Sequence, residues 1–344
     1  MTHTSSLKVL VTGGAGYIAS HTLIELIEDG HDPVVLDNFA NSVPQALARV
    51  QAITGRDIPL ERADIRDADA LASVFATHKP DAVIHFAGLK AVAESSTDPV
   101  AYYDNNVSGT ITLLASMDKA QCRQIIFSSS ATVYGDANYL PIDEDHPVAP
   151  VNPYGRTKLF IEYILADWQA ANAGSGAVIL RYFNPVGAHA SAMIGEDPKG
   201  VPNNLLPYVA QVAIGRRREL SVFGNDYDTR DGTGLRDYIH VVDLARAHVA
   251  ALNYGAAHPG VETINVGTGH GATVLELVAA FKAASGRDIP YRITGRRHGD
   301  TAASLADTSK ATRLLGWQAT HDLTDMCTSS WAWQSANPNG FTNS

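Results

Sequence analysis

Cysteine is almost absent from the 344 residues, with Cys122 and Cys327 the whole supply. Two thiols build no disulfide framework, and a reducing compartment suits them. Long hydrophobic runs are missing as well. No stretch approaches the ~18 continuous apolar residues of a membrane helix, and the polar start, Met1 to Lys8, lacks the apolar core of a signal peptide. A cytoplasmic protein with no membrane partner is expected. Positive charge is in deficit: 26 Lys and Arg against 36 Asp and Glu leave −10 at pH 7. That balance argues against nucleic acid or an anionic membrane surface as partner. It leaves room for a small anion, because one pocket can be basic on an acidic protein. What is present, 45% hydrophobic and 18% charged residues, is ordinary globular composition. The length suggests about two domains.

Short runs rich in Val, Ile, Leu or Phe read as strands at Lys8–Val11, Pro33–Leu36, Ala82–Phe86, Gln124–Ser128 and Ala177–Arg181. Helix-length segments lie between them at Ile18–Asp29, Ala68–His78, Tyr102–Ala120 and Tyr154–Ala171. Alternation at this spacing predicts an α/β fold, a doubly wound parallel sheet with crossover helices. Beyond Arg181 the pattern loosens. Gly and Pro gather in Asn184–Pro207, and Gly224–Gly234 is a polar loop. Helical signals return at Val241–Leu252 and Val274–Ala284, with a strand at Thr263–Val266. We read the loose part as a second, smaller α/β domain. Residues 1–182 plus about 237–266 would form the sheet domain, and 183–236 plus about 267–344 the smaller one.

The first turn carries chemistry. Val9 to Ser20 runs from strand through a glycine-rich turn into a helix, with the spacing Gly13-x-x-Gly16-x-x-Ala19. Such a turn lets the backbone approach a pyrophosphate, whose charge then rests on free N–H groups at the helix N-terminus. Alone it is equally an ordinary strand-to-helix turn. Asp37 raises it above that: it stands about 20 residues on, at the end of the second strand, where a carboxylate accepts from the ribose hydroxyls of a dinucleotide. The same carboxylate repels a 2′-phosphate, so NAD is expected rather than NADP.

Tyr154-Gly155-Arg156-Thr157-Lys158 sets a phenol and an amine on one helix face. A tyrosine of pKa ~10 is a poor base at neutral pH until a nearby cation stabilises its phenolate. Lys158 and an oxidised nicotinamide would both supply that charge. A surface Tyr–Lys pair is the bland alternative. Phe127-Ser128-Ser129-Ser130 ends a strand, and strand C-termini line the ligand crevice of open α/β sheets. A hydroxyl there can hold the substrate oxygen that Tyr154 deprotonates. Chemistry alone does not choose among the three serines, and a plain strand-end turn would look the same.

These residues amount to a family resemblance. Thr12–Ile18 (TGGAGYI), His85–Val92 (HFAGLKAV), Ser128–Gly135 (SSSATVYG) and Pro153–Lys158 (PYGRTK) are similar to the extended short-chain dehydrogenase/reductase superfamily, which has a Rossmann fold. Arg181–Ala188 (RYFNPVGA) and Arg236–Val241 (RDYIHV) narrow the resemblance to the UDP-glucose 4-epimerase family, from about Lys8 to about Gln334. It implies an NAD-dependent isomerase of galactose metabolism that interconverts UDP-galactose and UDP-glucose through a transient 4-keto sugar. Tyr154 is then the base, Lys158 its cationic partner, and Ser130 the residue on the sugar 4-hydroxyl.

For the cofactor the resemblance implies Gly13, Gly16, Tyr17 and Ile18 at the pyrophosphate. Asp37, Asn38, Phe39, Ala40, Asn41 and Ser42 would surround the adenosine ribose, and Asp64 and Ile65 border the adenine. Phe86, Ala87, Gly88, Leu89 and Lys90 form the loop after the third of the strands, and Asn105 and Phe183 complete the site. For the UDP-sugar it implies Lys90, Asn184, Asn204, Leu205, Arg236, Arg297 and Asp300, with Ser221, Val222 and Phe223 meeting the uracil through backbone. A homodimer through Tyr102–Ala120 and Tyr154–Ala171 is also implied. No metal is expected, so His85 and His240 read as scaffold, Arg216-Arg217-Arg218 as a solvated helix end, and Tyr102-Tyr103 as packing.

Two departures stand out. Ala19 replaces a glycine common among relatives. Ser304 stands where some epimerases carry a tyrosine that crowds the sugar 2-substituent, so room for UDP-GlcNAc and UDP-GalNAc is expected here. The rival within the superfamily is a nucleotide-sugar 4,6-dehydratase, which needs an acid–base pair directly after the catalytic hydroxyl; here that place reads Ala131-Thr132. The rival of another class, a non-catalytic NAD-sensing protein, would usually have lost the Tyr/Lys pair.

Overall fold

The computed structural model describes residues 6–202, 204–297 and 300–341. Met1–Ser5 of the polar start and His298-Gly299, which precede Ser304, lie outside the described residues. The strands in chain order are β1 (Lys8–Thr12), β2 (Asp32–Leu36), β3 (Leu60–Glu61), β4 (Ala82–His85), β5 (Gln124–Ser128), β6 (Gly176–Tyr182), β7 (Asn184–Val186), β8 (Leu220–Phe223), β9 (Leu235–His240), β10 (Gly260–Val266), β11 (Gly271–Thr273), β12 (Tyr291–Thr294) and β13 (Ala303–Ser304).

Seven of them form one parallel sheet in the order β10-β6-β5-β4-β1-β2-β3. The chain leaves β1 toward β2 and β3, then crosses back to β4 on the other side. Thr12 therefore pairs with Leu36 in one direction and His85 in the other. This reversal opens a crevice above the carboxyl ends of β1 and β4, the usual ligand position in such sheets. The strands are apolar almost throughout because both faces are covered. Helices Tyr17–Glu28 and Val241–Ala257 lay Leu23, Ile24, Leu244 and Leu252 on one face. Helices Ala68–His78, Gly109–Ala120 and Pro153–Ala171 lay Leu71, Leu113, Met117, Ile161 and Leu165 on the other.

A smaller unit has its own sheet centred on β9, with β11 antiparallel and β7 and β13 parallel to it, while β8 and β12 pair separately. Leu206, Val209, Val222, Leu277, Phe281 and Met326 form a separate core there. The fully buried Asp237 staples this unit together. Its carboxylate accepts from Thr268 N at 2.8 Å, Thr268 Oγ1 at 2.7 Å, Gly269 N at 3.0 Å and Ala306 N at 3.1 Å. β9 begins at Leu235 and pairs wholly within the smaller unit; helix Val241–Ala257 then returns the chain to β10.

The expected strands and most expected helices are present, most shifted by a residue or two at their ends; helix Val241–Ala257 runs five residues past the expected Leu252, and β10 begins three residues before Thr263. Tyr102–Ala120 is not one helix. Pro99–Tyr102 is helical, Tyr103–Ser108 widens into a π-type turn, and the α-helix resumes at Gly109. Gly109 lets the Ile65 side chain pack close at that junction: a Cβ there would lie 2.6 Å from it, and Ile65 would have to shift. Helix Pro44–Thr54 and the short β3 were not expected from the sequence.

Candidate active site

The glycine-rich turn is shaped by close approach. Gly13 has φ +68°, and a Cβ on it would sit 2.8 Å from the Ala87 nitrogen, so β1 and the loop after β4 touch there through backbone. Gly16 caps helix Tyr17–Glu28 without any side-chain hydrogen bond. The first N–H groups of that helix therefore face the crevice free of a side-chain cap, which suits a pyrophosphate. Asp37 is buried beside them. Its Oδ2 accepts from Ala15 N at 2.9 Å, and its Oδ1 from Phe39 N and Ser42 Oγ at 2.8 Å each. It is thus a turn residue and a candidate ribose acceptor at once, because a carboxylate offers about four acceptor positions. Phe39 takes the left-handed φ of +58°. Asn38 donates to Asp64 Oδ2 at 2.9 Å, and Arg66 closes on the same carboxylate at 2.9 Å, holding Asp64 well below the usual range. Ile65 is buried beneath. These groups fit a dinucleotide: an open helix end, a cradle a Cβ would fill, and an acid at the tip of β2.

The loop Phe86–Lys90 is fixed by a residue that the sequence reading passed over. Asn106, buried in the π-type turn, accepts from Leu89 N at 2.8 Å and donates to Leu89 O at 3.0 Å and to Thr157 Oγ1 at 3.1 Å. Its neighbour Asn105, an expected cofactor residue, donates to the Asn106 side chain at 2.9 Å. A widened helical turn often marks a functional position, but no sequence pattern announces it. His85 lies between Thr12 Oγ1 at 2.7 Å and Thr110 Oγ1 at 3.0 Å, and burial, helped by the Lys158 charge, pushes it down to about 3. It is a neutral scaffold residue.

Tyr154 and Lys158 are not a surface pair; both are buried. Helix Pro153–Ala171 starts at Asn152, whose side chain accepts from Gly155 N at 2.8 Å, and this cap seats the Tyr154 turn over the end of β5. Lys158 Nζ donates to Ser128 O at 2.8 Å and lies 5.9 Å from the Tyr154 ring centre. Burial pushes the ammonium down to about 8, opposed by Glu162 one turn on. Burial also pushes the Tyr154 phenol well up, while its hydrogen bond with Ser130 pulls the other way.

The three serines part company here. Ser128 donates to Tyr182 at 3.1 Å and Ser129 to Glu162 at 2.5 Å, leaving Ser130 to face Tyr154. Ser130 Oγ accepts from Thr132 N at 3.2 Å and Thr132 Oγ1 at 3.0 Å, so its single proton is left for donation on the Tyr154 side. Phe183 is buried just after β6.

The expected sugar-nucleotide residues sit on the smaller unit and its junction with the sheet. Asn184 starts β7, and Asn204 caps helix Leu205–Ala213. Ser221, Val222 and Phe223 lie in β8, paired with Arg292, Ile293 and Thr294. Arg236 and Ser304 are register partners in β9 and β13. Arg297 donates to Asp300 at 3.0 Å with its guanidinium 4.6 Å from the Phe223 ring centre. Lys90, from the other side of the crevice, pairs with Glu196 at 3.3 Å. Arg216 and Arg218 are exposed as expected, whereas Arg217 is half-buried and donates to Gln211 at 2.7 Å; Tyr102 packs, donating to Ala91 O at 2.8 Å.

The model of the NAD dependent epimerase/dehydratase family matches residues 9–267. A UDP-glucose 4-epimerase of Dictyostelium discoideum is 56% identical over 338 residues, covering 98% of each chain. The crystal structure of a UDP-glucose 4-epimerase from Bifidobacterium longum, in complex with NAD+ and UDP, is 54% identical, with a TM-score of 0.94 over 97% of this chain and 99% of that one. A UDP-glucose-4-epimerase from Stenotrophomonas maltophila, with bound NAD and formylated UDP-arabinopyranose, gives a TM-score of 0.95 at 51% identity over 96% and 99% of the two chains. The chain belongs to the NAD dependent epimerase/dehydratase family and, within it, to the UDP-glucose 4-epimerases.

Proposed function

We propose the following division of labour in an NAD-dependent UDP-glucose 4-epimerase that interconverts UDP-galactose and UDP-glucose. The observation that carries it is the burial of Tyr154, Lys158 and Ser130 together at the carboxyl edge of β5, beside the open turn at β1. NAD, when bound, supplies a hydride acceptor and donor for C4 of the sugar. Gly13, Gly16, Tyr17, Ile18 and Asp37 hold its adenosine and pyrophosphate, and Phe86–Lys90, Asn105 and Phe183 line the rest.

Tyr154 takes the proton of the 4-hydroxyl. Burial alone would keep the phenol protonated, so its phenolate depends on positive charge brought close, from Lys158 and from the oxidised nicotinamide. Ser130, its own oxygen already accepting from Thr132, turns the proton it gives Tyr154 to the sugar O4 when substrate is bound. The 4-keto sugar then presents its other face, and Tyr154 returns the proton. Such a turn needs a hexose held loosely and a UDP held firmly. Arg236 and Arg297 supply guanidinium forks for the diphosphate, Asn184, Asn204, Leu205 and Asp300 flank it, and Ser221–Phe223 meet the uracil through backbone. The place an extra acid–base pair would occupy in a dehydratase is filled by Ala131 and Thr132, and Thr132 is committed to Ser130.

The large sheet carries the cofactor and the smaller unit the UDP-sugar; the sequence suggests a division at 1–182 plus about 237–266, and 183–236 plus about 267–344, and the pairing of β9 within the smaller unit leads us to set the return to the sheet domain at Val241. Exposed Ile111, Phe160 and Tyr163 on helices Gly109–Ala120 and Pro153–Ala171 support a homodimer through those helices. Two buried, unpaired cysteines support a reducing, cytoplasmic setting.

Because the redox cycle closes within one turnover, NAD need not leave. Purified protein should convert UDP-galactose to UDP-glucose with no nucleotide cofactor added; an absolute requirement for a stoichiometric oxidant or reductant would defeat the proposal. Ser304 is small and half-buried beside Arg236. The reading extends to UDP-GalNAc and UDP-GlcNAc. Ser304→Tyr should lower turnover of the N-acetylated pair at least about tenfold relative to the plain pair, as steric exclusion at a pocket wall does. An unchanged ratio counts against it.

A further inference from the structure

Glu196 lies outside every role assigned above. It sits in the segment between β7 and helix Leu205–Ala213, and its side chain is only 9% exposed. Its backbone is held from behind: Trp333 Nε1 donates to Glu196 O at 3.2 Å, and Ala188 and Gly195 form an antiparallel bridge. Gly195 packs so closely under the Trp333 ring that no Cβ would fit. The carboxylate is therefore a fixed post. Its Oε1 accepts from Asn204 Nδ2 at 2.8 Å and meets Lys90 Nζ at 3.3 Å.

Lys90 is 51% exposed in its side chain and comes from the opposite wall of the crevice, in the loop that Asn106 clamps. A long, half-exposed lysine has much rotamer freedom to lose, and among the described residues Glu196 is the one polar partner of its ammonium. A nearly buried carboxylate, for its part, is costly unless paired. The two needs meet in one contact across the crevice.

We propose that Glu196 is a positioning residue: it holds Lys90 from the sheet side and Asn204 from the smaller unit at one point, so that both present themselves to the UDP-sugar without a further ordering cost. The proposal rests on the substrate role assigned to Lys90 and Asn204. Glu196 itself touches no reacting atom. Its effect is on substrate affinity and not on the proton transfer at Tyr154.

The test is a double-mutant cycle of Glu196→Gln and Lys90→Met, read as KM and kcat for UDP-galactose together with retained NAD and melting temperature. Glutamine keeps an oxygen for Asn204 and removes the charge that holds Lys90. Glu196→Gln should raise KM about five- to tenfold, the cost of a lost charged hydrogen bond, with kcat, bound NAD and melting temperature unchanged. In the Lys90→Met background the same change should add almost nothing. Equal effects in both backgrounds would mean that Glu196 does not act through Lys90, and an unchanged or lowered KM in Glu196→Gln alone would show that it does not position substrate; either overturns the proposal. Should Lys90→Met alone leave KM unchanged, the substrate role of Lys90 fails, and the proposal falls with it for that distinct reason.

Discussion

Tyr154→Phe should reduce epimerase turnover by about three orders of magnitude, within the 10²–10⁴-fold that a positioned acid–base group contributes. The ring remains, so packing against Lys158 and the cap at Asn152 survive; only the hydroxyl is lost. NAD retention and UDP binding should be close to wild type, measured by absorbance of the purified protein and by titration with UDP. This split separates the catalytic reading from a non-catalytic dinucleotide-binding one. A variant with normal turnover would remove Tyr154 from the mechanism, and one that lost NAD would make its role structural.

The second large effect is on stability. Arg181 in β6 and Glu162 on helix Pro153–Ala171 form a buried pair, with Nη2 to Oε2 at 2.6 Å and Nε to the two carboxylate oxygens at 3.1 and 3.2 Å. Both side chains are almost wholly buried. Ser129 donates to the same carboxylate, and Arg181 reaches Tyr134 at 3.1 Å, which in turn donates to Asn265 of β10 at 2.7 Å. Arg181→Met leaves a buried carboxylate without its countercharge, a loss of about 3–5 kcal/mol. Chemical denaturation should show that loss directly. Adding Glu162→Gln should recover more than half of it, because the stranded charge is the main cost. A loss under about 1 kcal/mol for Arg181→Met would mean that water or another donor reaches Glu162, contrary to its burial. Glu162 is one turn from Lys158 and also opposes the burial shift of that ammonium, so the pair couples scaffold to chemistry.

What could be read in the sequence was what repeats locally. Apolar runs gave the parallel strands because strands covered on both faces carry no polar alternation to obscure them. Gly13, Gly16 and Asp37 were legible because a close backbone approach and a strand-end acid have fixed spacings. The choice among Ser128, Ser129 and Ser130 was not legible from chemistry. It depends on which hydroxyls the sheet register hands to Tyr182 and Glu162. Helix Pro44–Thr54 was missed although Pro44 stands at its first turn and Gly55 ends it in the left-handed region with φ +65°, signals that a stricter reading of caps would have caught. The π-type turn at Tyr103–Ser108 was out of reach, since its sequence has the same periodicity as the helices it joins. Arg181 with Glu162, and Glu196 with Lys90, are contacts between distant segments, and no local pattern encodes them.

The central claim is that the hydrogen on C4 leaves as hydride and returns to the same carbon while Tyr154 moves only the hydroxyl proton. Conversion of UDP-galactose in deuterium oxide, followed by mass and NMR analysis of the UDP-glucose formed, tests it most directly. The account predicts product with ordinary hydrogen at C4 and no deuterium on any ring carbon. Deuterium at C4 would mean that a solvent-exchangeable base removes that hydrogen as a proton, and would contradict it.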